Sequence, residues 1–491
     1  MDAELTATED TGRVKKLSEK VAERIVADIV DQGWPVGRNL GTEKDLLQKY
    51  GVARATFREA IRQVERNGAA SMRRGAGGGL IVGEPPRAAA IRAMMTFFEL
   101  THVSFADQHE TREVLEVTVA RLAAERADRA QVDRLRGLVI ELRGVTDFAA
   151  SVMGNMAMRV AVADATGNTA LSLFIEALNG VQRETVRVLR SNREIILDDM
   201  TQSVDFKHNL IEAIAARQVD RAERLVHGDM HRRLLAMTSA VARPPSPDTT
   251  VNYAGLPARW EGETGQGKLA DQIVAHMVAD IARLGWKQGH NLGREGDLQQ
   301  QYGVSRAILR EAIRQLELYG IARMRTGIQG GLVIGVVDPG YTVDLVVTYL
   351  RSTPLDVKHL WEVQSSLQVF AVGRLAQIGT PEDYTALREA MADVLSSSPE
   401  NYLDRANIVH RTIADRTENR ALSLFMRVLI QSATPLCPPV GQDNLPYLIS
   451  MHDQIVAAIG EQDVKRAMAL TSELFGRARV WLTGKRHGSR T

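Results

Sequence analysis

Three arginines recur at four-residue spacing in one stretch of the chain and are candidates for binding a polyanion. Arg54, Arg58 and Arg62 would lie on one side of a helix, opposite the apolar residues that face a core. A guanidinium donates paired hydrogen bonds to phosphate or to the edge of guanine. A single stripe of this kind is usually a solvated helix face. The stripe recurs 252 positions later, however, at Arg306, Arg310 and Arg314.

The residues around the first stripe predict the elements that would position it. Apolar residues at helical spacing predict a helix over residues 17–32, ended by Gly33, and Thr42 can cap a short second helix that Gly51 ends. The arginine-bearing helix follows, and residues 69–82 predict two short strands around a basic, glycine-rich tip. This order is that of a winged helix-turn-helix, whose third helix fits the major groove of DNA.

Both copies resemble the GntR family of bacterial transcription regulators, in the segments EKDL at 43–46, GVARATFREAI at 51–61 and GVSRAILREAI at 303–313. The resemblance implies that DNA is contacted by a basic residue before the turn, by the start of the third helix and by the wing tip. In this sequence those residues are Lys44, Arg54, Thr56, Arg58, Arg74 and Gly75 in the first copy, and Ser305, Arg306, Ile308, Arg310 and Gly327 in the second.

The two copies differ at two of these positions. Gly296 stands where the first copy has Lys44, and Thr326 stands where it has Arg74. The second copy therefore lacks two positive charges that could meet phosphate. We expect it to hold DNA more weakly.

The sequence after each predicted winged helix is helical throughout. Residues 159–171 and 410–422 correspond at a displacement of 251 and resemble the all-helical effector domain termed FCD, common in the FadR branch of the family. That resemblance implies a divalent metal held by an aspartate, a histidine four residues on and two later histidines. The corresponding residues are Asn155, Arg159, Lys207 and Asp229 in the first copy, and Ala406, His410, His452 and Leu474 in the second.

Neither set offers the ligands of such a metal site, so we expect no metal and no other cofactor. The helical domains are expected instead to bind a small organic effector, anionic or neutral. The candidate polar contacts are Arg159 and Lys207 in the first domain, and His410 and His452 in the second. Whether the two histidines still bind a metal stays open.

Composition excludes several other classes of protein. The 491 residues are 44% apolar and 25% charged, with a formal net charge of +1, which is ordinary for a globular chain of several domains. Lysine and arginine outnumber aspartate and glutamate in both predicted DNA-binding regions, while the remainder is acidic. The single cysteine, Cys437, favours a reducing compartment. With no leader and no long apolar run, we expect a cytoplasmic protein without membrane contact.

The predicted fold is mainly α, with two winged helix-turn-helix domains, each followed by an all-helical FCD-like bundle, as an internal tandem repeat. The predicted bounds are 14–85 and 86–243 for the first pair and 268–337 and 338–485 for the second. A proline- and glycine-rich stretch at 244–267 is expected to act as the linker.

These features favour a DNA-binding transcription regulator rather than an enzyme. We expect a sequence-specific repressor that binds double-stranded operator DNA, responds to an effector and acts as a covalent pseudo-dimer. An architectural DNA-binding protein with non-sensing helical domains stays open. A fusion of regulator and enzyme is disfavoured because no phosphate loop, nucleophile elbow or metal-hydrolase motif is found. Pairing of two chains also stays open.

Overall fold

The computed structural model describes residues 16–75, 77–101, 103–145, 148–188, 193–241, 267–284, 287–325, 327, 330–335, 338–354 and 356–484. Its elements are helices with two short hairpins at corresponding places in the two halves, which confirms the predicted mainly α fold class. No helix within these ranges combines the length and apolar character needed to cross a membrane. The predicted linker lies outside these ranges except for its last residue, Gly267, which begins a helix.

The first winged helix-turn-helix, termed head 1, contains three helices and one antiparallel hairpin. Helix α1 spans Leu17–Asp31, α2 spans Glu43–Tyr50 and α3 spans Arg54–Arg66, followed by β1 at Ala70–Arg73 and β2 at Gly79–Val82. The apolar faces of these elements close on one core, as their periodicity predicts. Its buried side chains include Val21, Ile25, Ile29, Leu46, Phe57, Ile61, Val64 and Leu80.

Side-chain and backbone chemistry fix the turn between α2 and α3. Thr42 caps α2: its Oγ1 accepts from the Asp45 amide at 3.3 Å, and the Asp45 carboxylate accepts from the Thr42 amide at 3.0 Å. Gly51 ends α2 in the left-handed conformation, at φ +63°, where a side chain would be strained. The chain therefore turns sharply into α3.

Within the described residues up to 241, seven helices follow head 1. They are α4 at Arg87–Leu100, α5 at Phe105–Arg126, α6 at Arg129–Arg143, α7 at Phe148–Asp164, α8 at Thr169–Val188, α9 at Arg193–Ala215 and α10 at Val219–Val241. Helices α5 to α10 are termed lobe 1. Because most of these helices bury apolar faces against one another, their packing supplies a rigid frame for any polar group at the centre.

The second half repeats this order. Head 2 comprises α11 at Gly267–Arg283, α12 at Glu295–Tyr302, α13 at Arg306–Leu318, β3 at Ala322–Arg325 and β4 at Gly331–Ile334. Then come α14 at Gly340–Arg351, α15 at Val357–Ile378, α16 at Pro381–Leu395, α17 at Tyr402–Arg416, α18 at Arg420–Ala433, α19 at Leu445–Gly460 and α20 at Val464–Gly484. Helices α15 to α20 are termed lobe 2.

The chain divides into two compact units. One holds Met1–Ala89 with Thr348–Pro354, and therefore contains head 1. The other holds Ala90–Val347 with Leu355–Thr491, and therefore contains head 2 and both lobes. The five predicted domain bounds themselves remain predictions.

Within the second unit, the two lobes contact each other through equivalent residues. The Asn168 amide group donates to the His359 carbonyl oxygen at 2.8 Å, and the equivalent Asn419 donates to the Asp107 carbonyl oxygen at 3.0 Å. Contacts exchanged between equivalent residues are typical of two subunits related by a twofold axis. The two lobes thus make equivalent contacts with each other.

Aromatic side chains follow the same local symmetry, and charged side chains follow it in part. The rings of the equivalent residues Phe174 and Phe425 stack, with centroids 4.1 Å apart and 13° between their planes. Arg126 of lobe 1 pairs with Glu362 of lobe 2. The equivalent glutamate of lobe 1, Glu110, lies 2.6 Å from Arg374 of lobe 2, which lies one turn before the position equivalent to Arg126.

Candidate DNA-reading helices and effector sites

In head 1, a carboxylate of α2 holds together two arginines of α3. Arg54 Nε and Arg58 Nε lie 2.9 and 3.1 Å from the same atom, Glu43 Oε1. The arginine side chains are still 66% and 59% exposed, so their guanidinium groups are oriented and accessible. Hydrogen bonds from Arg54 and Arg58 lower the pKa of Glu43 to about 2, so this carboxylate stays ionised at neutral pH.

Head 2 contains the same arrangement. Arg306 Nε and Arg310 Nε lie 3.1 and 2.6 Å from Glu295 Oε1, and both arginines are mostly exposed. Hydrogen bonds from these arginines lower the pKa of Glu295 to about 2. This set of one glutamate and two arginines is termed the arginine clasp.

The other residues of head 1 predicted to contact DNA also reach its surface. Lys44 and Arg74 are exposed, and Thr56 is half-buried on α3. Gly75 is exposed at the wing tip with φ +102°, a left-handed conformation that favours glycine. Their assignment as DNA contacts stays a prediction.

Head 2 differs from head 1 at the start of its third helix. Ser305 Oγ accepts from the Ile308 amide at 3.5 Å and caps α13, whereas Ala53 provides no side-chain cap to α3. The Ile308 side chain is half-buried and packs against the head 2 core. Gly327 is exposed at the wing, with φ +111°. The DNA contacts of head 2 likewise remain predictions.

In lobe 1, the four positions that correspond to the metal ligands of FCD domains meet at the centre of the helices. Asn155 and Arg159 lie on α7, Lys207 on α9 and Asp229 on α10. Lys207 Nζ donates to Asn155 Oδ1 and, one turn back on α9, to both oxygens of Ser203. The ammonium therefore has three neutral acceptors.

Three further charged residues, which the sequence did not single out, complete this centre. Glu116 of α5 lies 2.6 Å from Arg159 Nη1 and 3.3 Å from Arg112 Nη1. Arg233 Nε lies 2.8 Å from Asp229 Oδ2 on α10. These largely buried residues are together termed the lobe 1 charge cluster: Arg112, Glu116, Arg159, Lys207, Asp229 and Arg233.

The cluster holds four basic side chains against two carboxylates. Burial, reinforced by the charges of Arg233 and Arg159, lowers the pKa of Lys207 well below its usual value. Burial, followed by the charge of Arg159, lowers the pKa of Arg112 to about 9. Arg112 Nη2 has no hydrogen-bond partner in the described part of the chain. Lobe 1 therefore has an excess of positive charge at its centre.

For the two carboxylates of the cluster, burial and the neighbouring charges shift the pKa in opposite directions. Burial alone would raise the pKa of Glu116 and of Asp229. The surrounding guanidinium charges outweigh burial and lower both pKa values, so both groups are ionised. A metal site needs donors with free electron pairs, and Arg159 and Lys207 place N–H donors there instead. These residues do not fit a divalent metal.

In lobe 2, the corresponding helices enclose a cavity of about 290 Å³. His410 and His452 line it, at the positions that Arg159 and Lys207 occupy in lobe 1. Its wall is largely apolar and carries four aromatic side chains: Trp361, Tyr402, Tyr447 and Phe475. Concave apolar sites with a few polar groups are typical of small-molecule binding.

The two histidines of lobe 2 form a hydrogen-bonded pair, with their Nε2 atoms 3.3 Å apart. His452 Nδ1 lies 2.9 Å from the Leu448 carbonyl oxygen and 2.9 Å from the Tyr402 hydroxyl oxygen. The carbonyl oxygen can only accept, so the contact with Leu448 puts the proton on this nitrogen, and the Tyr402 oxygen accepts from the same N–H. Neutral His452 then accepts at Nε2 from the Nε2–H of His410. Burial lowers the pKa of both histidines, and for His410 the neighbouring His452 lowers it further, so both rings are neutral near pH 7.

The lobe 2 residues do not complete a metal site either. Ala406 and Leu474 replace the carboxylate and the third histidine of the family pattern and bring no donor atom. Across the described ranges, no group of three or more histidine, cysteine, aspartate or glutamate side chains could hold a metal ion. His410 and His452 instead form a hydrogen-bonded pair of uncharged rings.

In lobe 1, sequence reasoning singled out residues on α7, α9 and α10 and missed their charged partners, including both partners on α5. Arg112 with Glu116, and Asp229 with Arg233, are pairs four residues apart, a spacing equally common on solvated helices. The glutamate of the arginine clasp was visible within the EKDL segment, but its pairing depends on the α2–α3 turn. Tyr402, Trp361 and Phe475 of the lobe 2 wall carried no pattern that separates a cavity from a core.

Two winged helix-turn-helix heads with exposed arginines, together with helical lobes, define a DNA-binding transcription regulator rather than an enzyme. The family model "Bacterial regulatory proteins, gntR family" matches residues 17–79 and 269–329. The FCD domain model matches residues 107–232 and 359–477. The four matches cover most of the chain, which therefore belongs to the GntR family and carries its two domains twice.

Individual relatives each match a part of the chain. It is 28% identical over 244 residues to a protein of Mycobacterium gastri named as the HTH-type transcriptional regulator RmpR, covering 47% of this chain and 86% of the relative. It is 25% identical over 201 residues to the fatty acid metabolism regulator protein of Edwardsiella ictaluri, covering 40% and 81% respectively. A solved GntR structure from Streptococcus agalactiae aligns at 21% identity and a TM-score of 0.31, over 44% of this chain and all of its own.

Proposed function

We propose that this regulator is a cytoplasmic, sequence-specific repressor whose affinity for its operator changes when a small organic molecule binds in the lobes. The observation that supports this most directly is the arginine clasp, present in both heads. In each, an ionised glutamate orients two exposed guanidinium groups at the start of the third helix, which is the part that reads base edges in winged helix-turn-helix proteins.

We also propose that one chain does what two subunits do elsewhere. Support comes from the reciprocal contacts of the lobes, in which Asn168 and Asn419, and Phe174 and Phe425, play equivalent parts. Covalent linkage keeps the second head at a high effective concentration once the first has bound. Because the heads differ, the operator should have two unlike half-sites.

Selection of bound sequences from a random DNA pool tests this proposal. We expect a bipartite consensus with different halves, since Thr56 is matched by Ile308 and Lys44 by Gly296. A perfectly palindromic consensus would contradict the pseudo-dimer with unlike heads. Reporter expression from that operator, with and without the protein, then tests repression against activation.

Effector binding is supported by the polar centres of the lobes. In lobe 1, Arg159 and Lys207 are candidate contacts for an anion, because basic side chains outnumber carboxylates in the lobe 1 charge cluster and a buried guanidinium without a counter-ion is costly. In lobe 2, His410 and His452 are candidate contacts of different, uncharged character. Titrating candidate metabolites into the protein–operator complex and measuring DNA affinity tests whether either site acts on the heads.

An architectural DNA-binding role is the second candidate, and one observation favours it. The Lys207 ammonium in lobe 1 already has three acceptors inside the protein, so this centre could be complete without a ligand. Binding that distinguishes the selected operator from random DNA by less than about tenfold at physiological salt would support this alternative.

A further inference from the structure

We infer that the lobe 2 cavity binds a small, uncharged aromatic compound that donates a hydrogen bond to His410 Nδ1. This inference rests on the proposed effector function and assigns a ligand class to one of its two sites. It departs from the chemistry of lobe 1, in which cationic side chains occupy the equivalent positions. The inference follows from the charge, the size and the hydrogen-bonding groups of the cavity.

Lobe 2 has no charged side chain at any position equivalent to the lobe 1 charge cluster. The repeats align at displacements of 252, 251 and 245 along helices α5 and α15, α7 and α17, and the last two helices of each lobe. In that alignment the six residues of the lobe 1 charge cluster are replaced, in order, by Gln364, Gln368, His410, His452, Leu474 and Ala478. Five of these replacements line the cavity, and none is charged near pH 7.

Among the described residues of the cavity wall, Arg477 is the one with a formal charge. Arg477 is paired with Glu473 at 3.1 Å, and its guanidinium carbon lies 4.4 Å from the centre of the Tyr447 ring. Its side chain is 63% exposed, so water screens what charge remains. A carboxylate ligand in the cavity would therefore find no buried cation to replace its hydration.

The size of the cavity and the aromatic side chains in its wall limit the ligands that it can hold. A volume of about 290 Å³ corresponds to about ten water-sized groups, since each water occupies about 30 Å³ in the liquid. Rings of Trp361, Tyr402 and Phe475 stand in the wall, and aromatic pairs gain energy beyond simple burial. One six-membered ring with a short polar substituent fits both the volume and the wall.

The histidine pair sets the direction of the hydrogen bond that a ligand would make to His410. With the His452 proton on Nδ1, His410 donates its Nε2–H to His452 Nε2, so His410 Nδ1 carries no proton and can accept a hydrogen bond. That atom is buried and has no hydrogen-bond partner in the described ranges. An unsatisfied buried acceptor destabilises the protein, and a ligand with an N–H or O–H group would satisfy it.

Calorimetric titration of the full-length protein with three probes of nearly equal size tests the inference. Benzamide is uncharged and has N–H donors, benzoate is its anionic counterpart, and benzylammonium is cationic. We expect benzamide to bind at lobe 2 at least about tenfold more tightly than either ion, because burying an unpaired charge is costly. Stronger benzoate or benzylammonium binding at this site, or no binding of any probe at millimolar concentration, would overturn the inference.

Variants assign the binding to lobe 2. Ala406→Leu should fill the cavity from α17 and abolish benzamide binding, and Ala478→Leu should do so from α20 if the first variant fails to fold. Ile408→Ala is the matched control, since Ile408 lies on α17, is exposed and does not line the cavity. Benzoate binding that survives Ala406→Leu belongs elsewhere, with lobe 1 as the candidate.

Two outcomes separate this inference from the proposed function. Benzamide binding that Ala406→Leu removes, without any change in operator affinity, would leave the ligand class standing and count against effector control. Benzamide binding unchanged by both filling variants would place the site elsewhere and overturn the inference. Saturable Zn²⁺ binding that His410→Ala abolishes would also overturn it, because a metal would then occupy the histidine pair.

Discussion

Lobes 1 and 2 are built from the same helices in the same order, but their centres have different electrostatic character. Lobe 1 buries Arg112, Arg159 and Lys207 with only two carboxylates, whereas lobe 2 has glutamine and histidine at those positions around a cavity. The helices of both lobes pack mainly through apolar faces outside these centres. After duplication, one scaffold could therefore hold two different polar centres.

The stability of the two lobes should also depend to different degrees on single residues of their centres. A buried ion-pair network needs every member, because removing one charge strands its partners in a poorly solvating interior. A neutral hydrogen-bonded pair loses less when one group is removed. The two lobes should therefore differ in their tolerance to substitution at equivalent positions.

The largest expected effect comes from Glu116→Gln in lobe 1. This change leaves Arg112 and Arg159 buried without their shared carboxylate, and should lower the free energy of unfolding by about 3–5 kcal/mol. Chemical denaturation followed by circular dichroism measures the loss.

The matched change in lobe 2 is Gln368→Met. Gln368 is fully buried, and neither polar atom of its side chain has a hydrogen-bond partner in the described ranges. Removing that amide should be neutral or stabilise the fold by about 1 kcal/mol. Equal losses at the two positions would contradict the proposed difference between the lobes.

The next largest effect concerns the two heads. Arg54→Ala should weaken operator binding by about 1–3 kcal/mol if its guanidinium touches a base, and Arg306→Ala should cost less in a weaker head. Fluorescence anisotropy with operator DNA measures both, and Gln48→Ala, exposed on α2, serves as control. Undiminished binding by both arginine variants would show that the recognition helices are assigned wrongly.

Acidification should destabilise lobe 2 through its histidine pair. The pKa values of His410 and His452 are lowered by burial, so the unfolded chain binds protons more readily than the folded one. Their contribution is complete above the ordinary histidine pKa of about 6.5, and is lost below it by at most about 1.4 kcal/mol per pH unit for each histidine.

Denaturation midpoints between pH 7 and pH 5 measure this loss. His410→Gln should flatten the fall in stability without abolishing it, because His452 and His109, whose pKa burial also lowers, remain. An unchanged pH profile for this variant would mean that His410 is not held neutral in the folded lobe.

The smallest expected effect is a gain of function. Gly296→Lys restores the basic residue that head 1 has at Lys44, and nothing lies within 4 Å of the added Cβ. One extra phosphate contact should steepen the dependence of log affinity on log salt by about 1. A slope that does not change would indicate that this position does not face phosphate in head 2.

The local elements could be predicted because short-range chemistry fixes them. Val21, Ile25 and Ile29 mark one face of α1, and Thr42 and Gly51 set the ends of α2. The duplication supplied a second instance of each pattern. The glutamate of each arginine clasp was not identified, because it meets its arginines only across the turn between two helices.

The sequence by itself determined the family, the helices, the tandem repeat and the arginines that face outward, since each depends on residues within one element or its neighbours. Only the tertiary structure decided what lies at the centre of each lobe. Arg112, Glu116 and Lys207 come from helices far apart in the chain, and their pKa shifts arise from burial and mutual charge. Neither burial nor mutual charge exists until the helices pack.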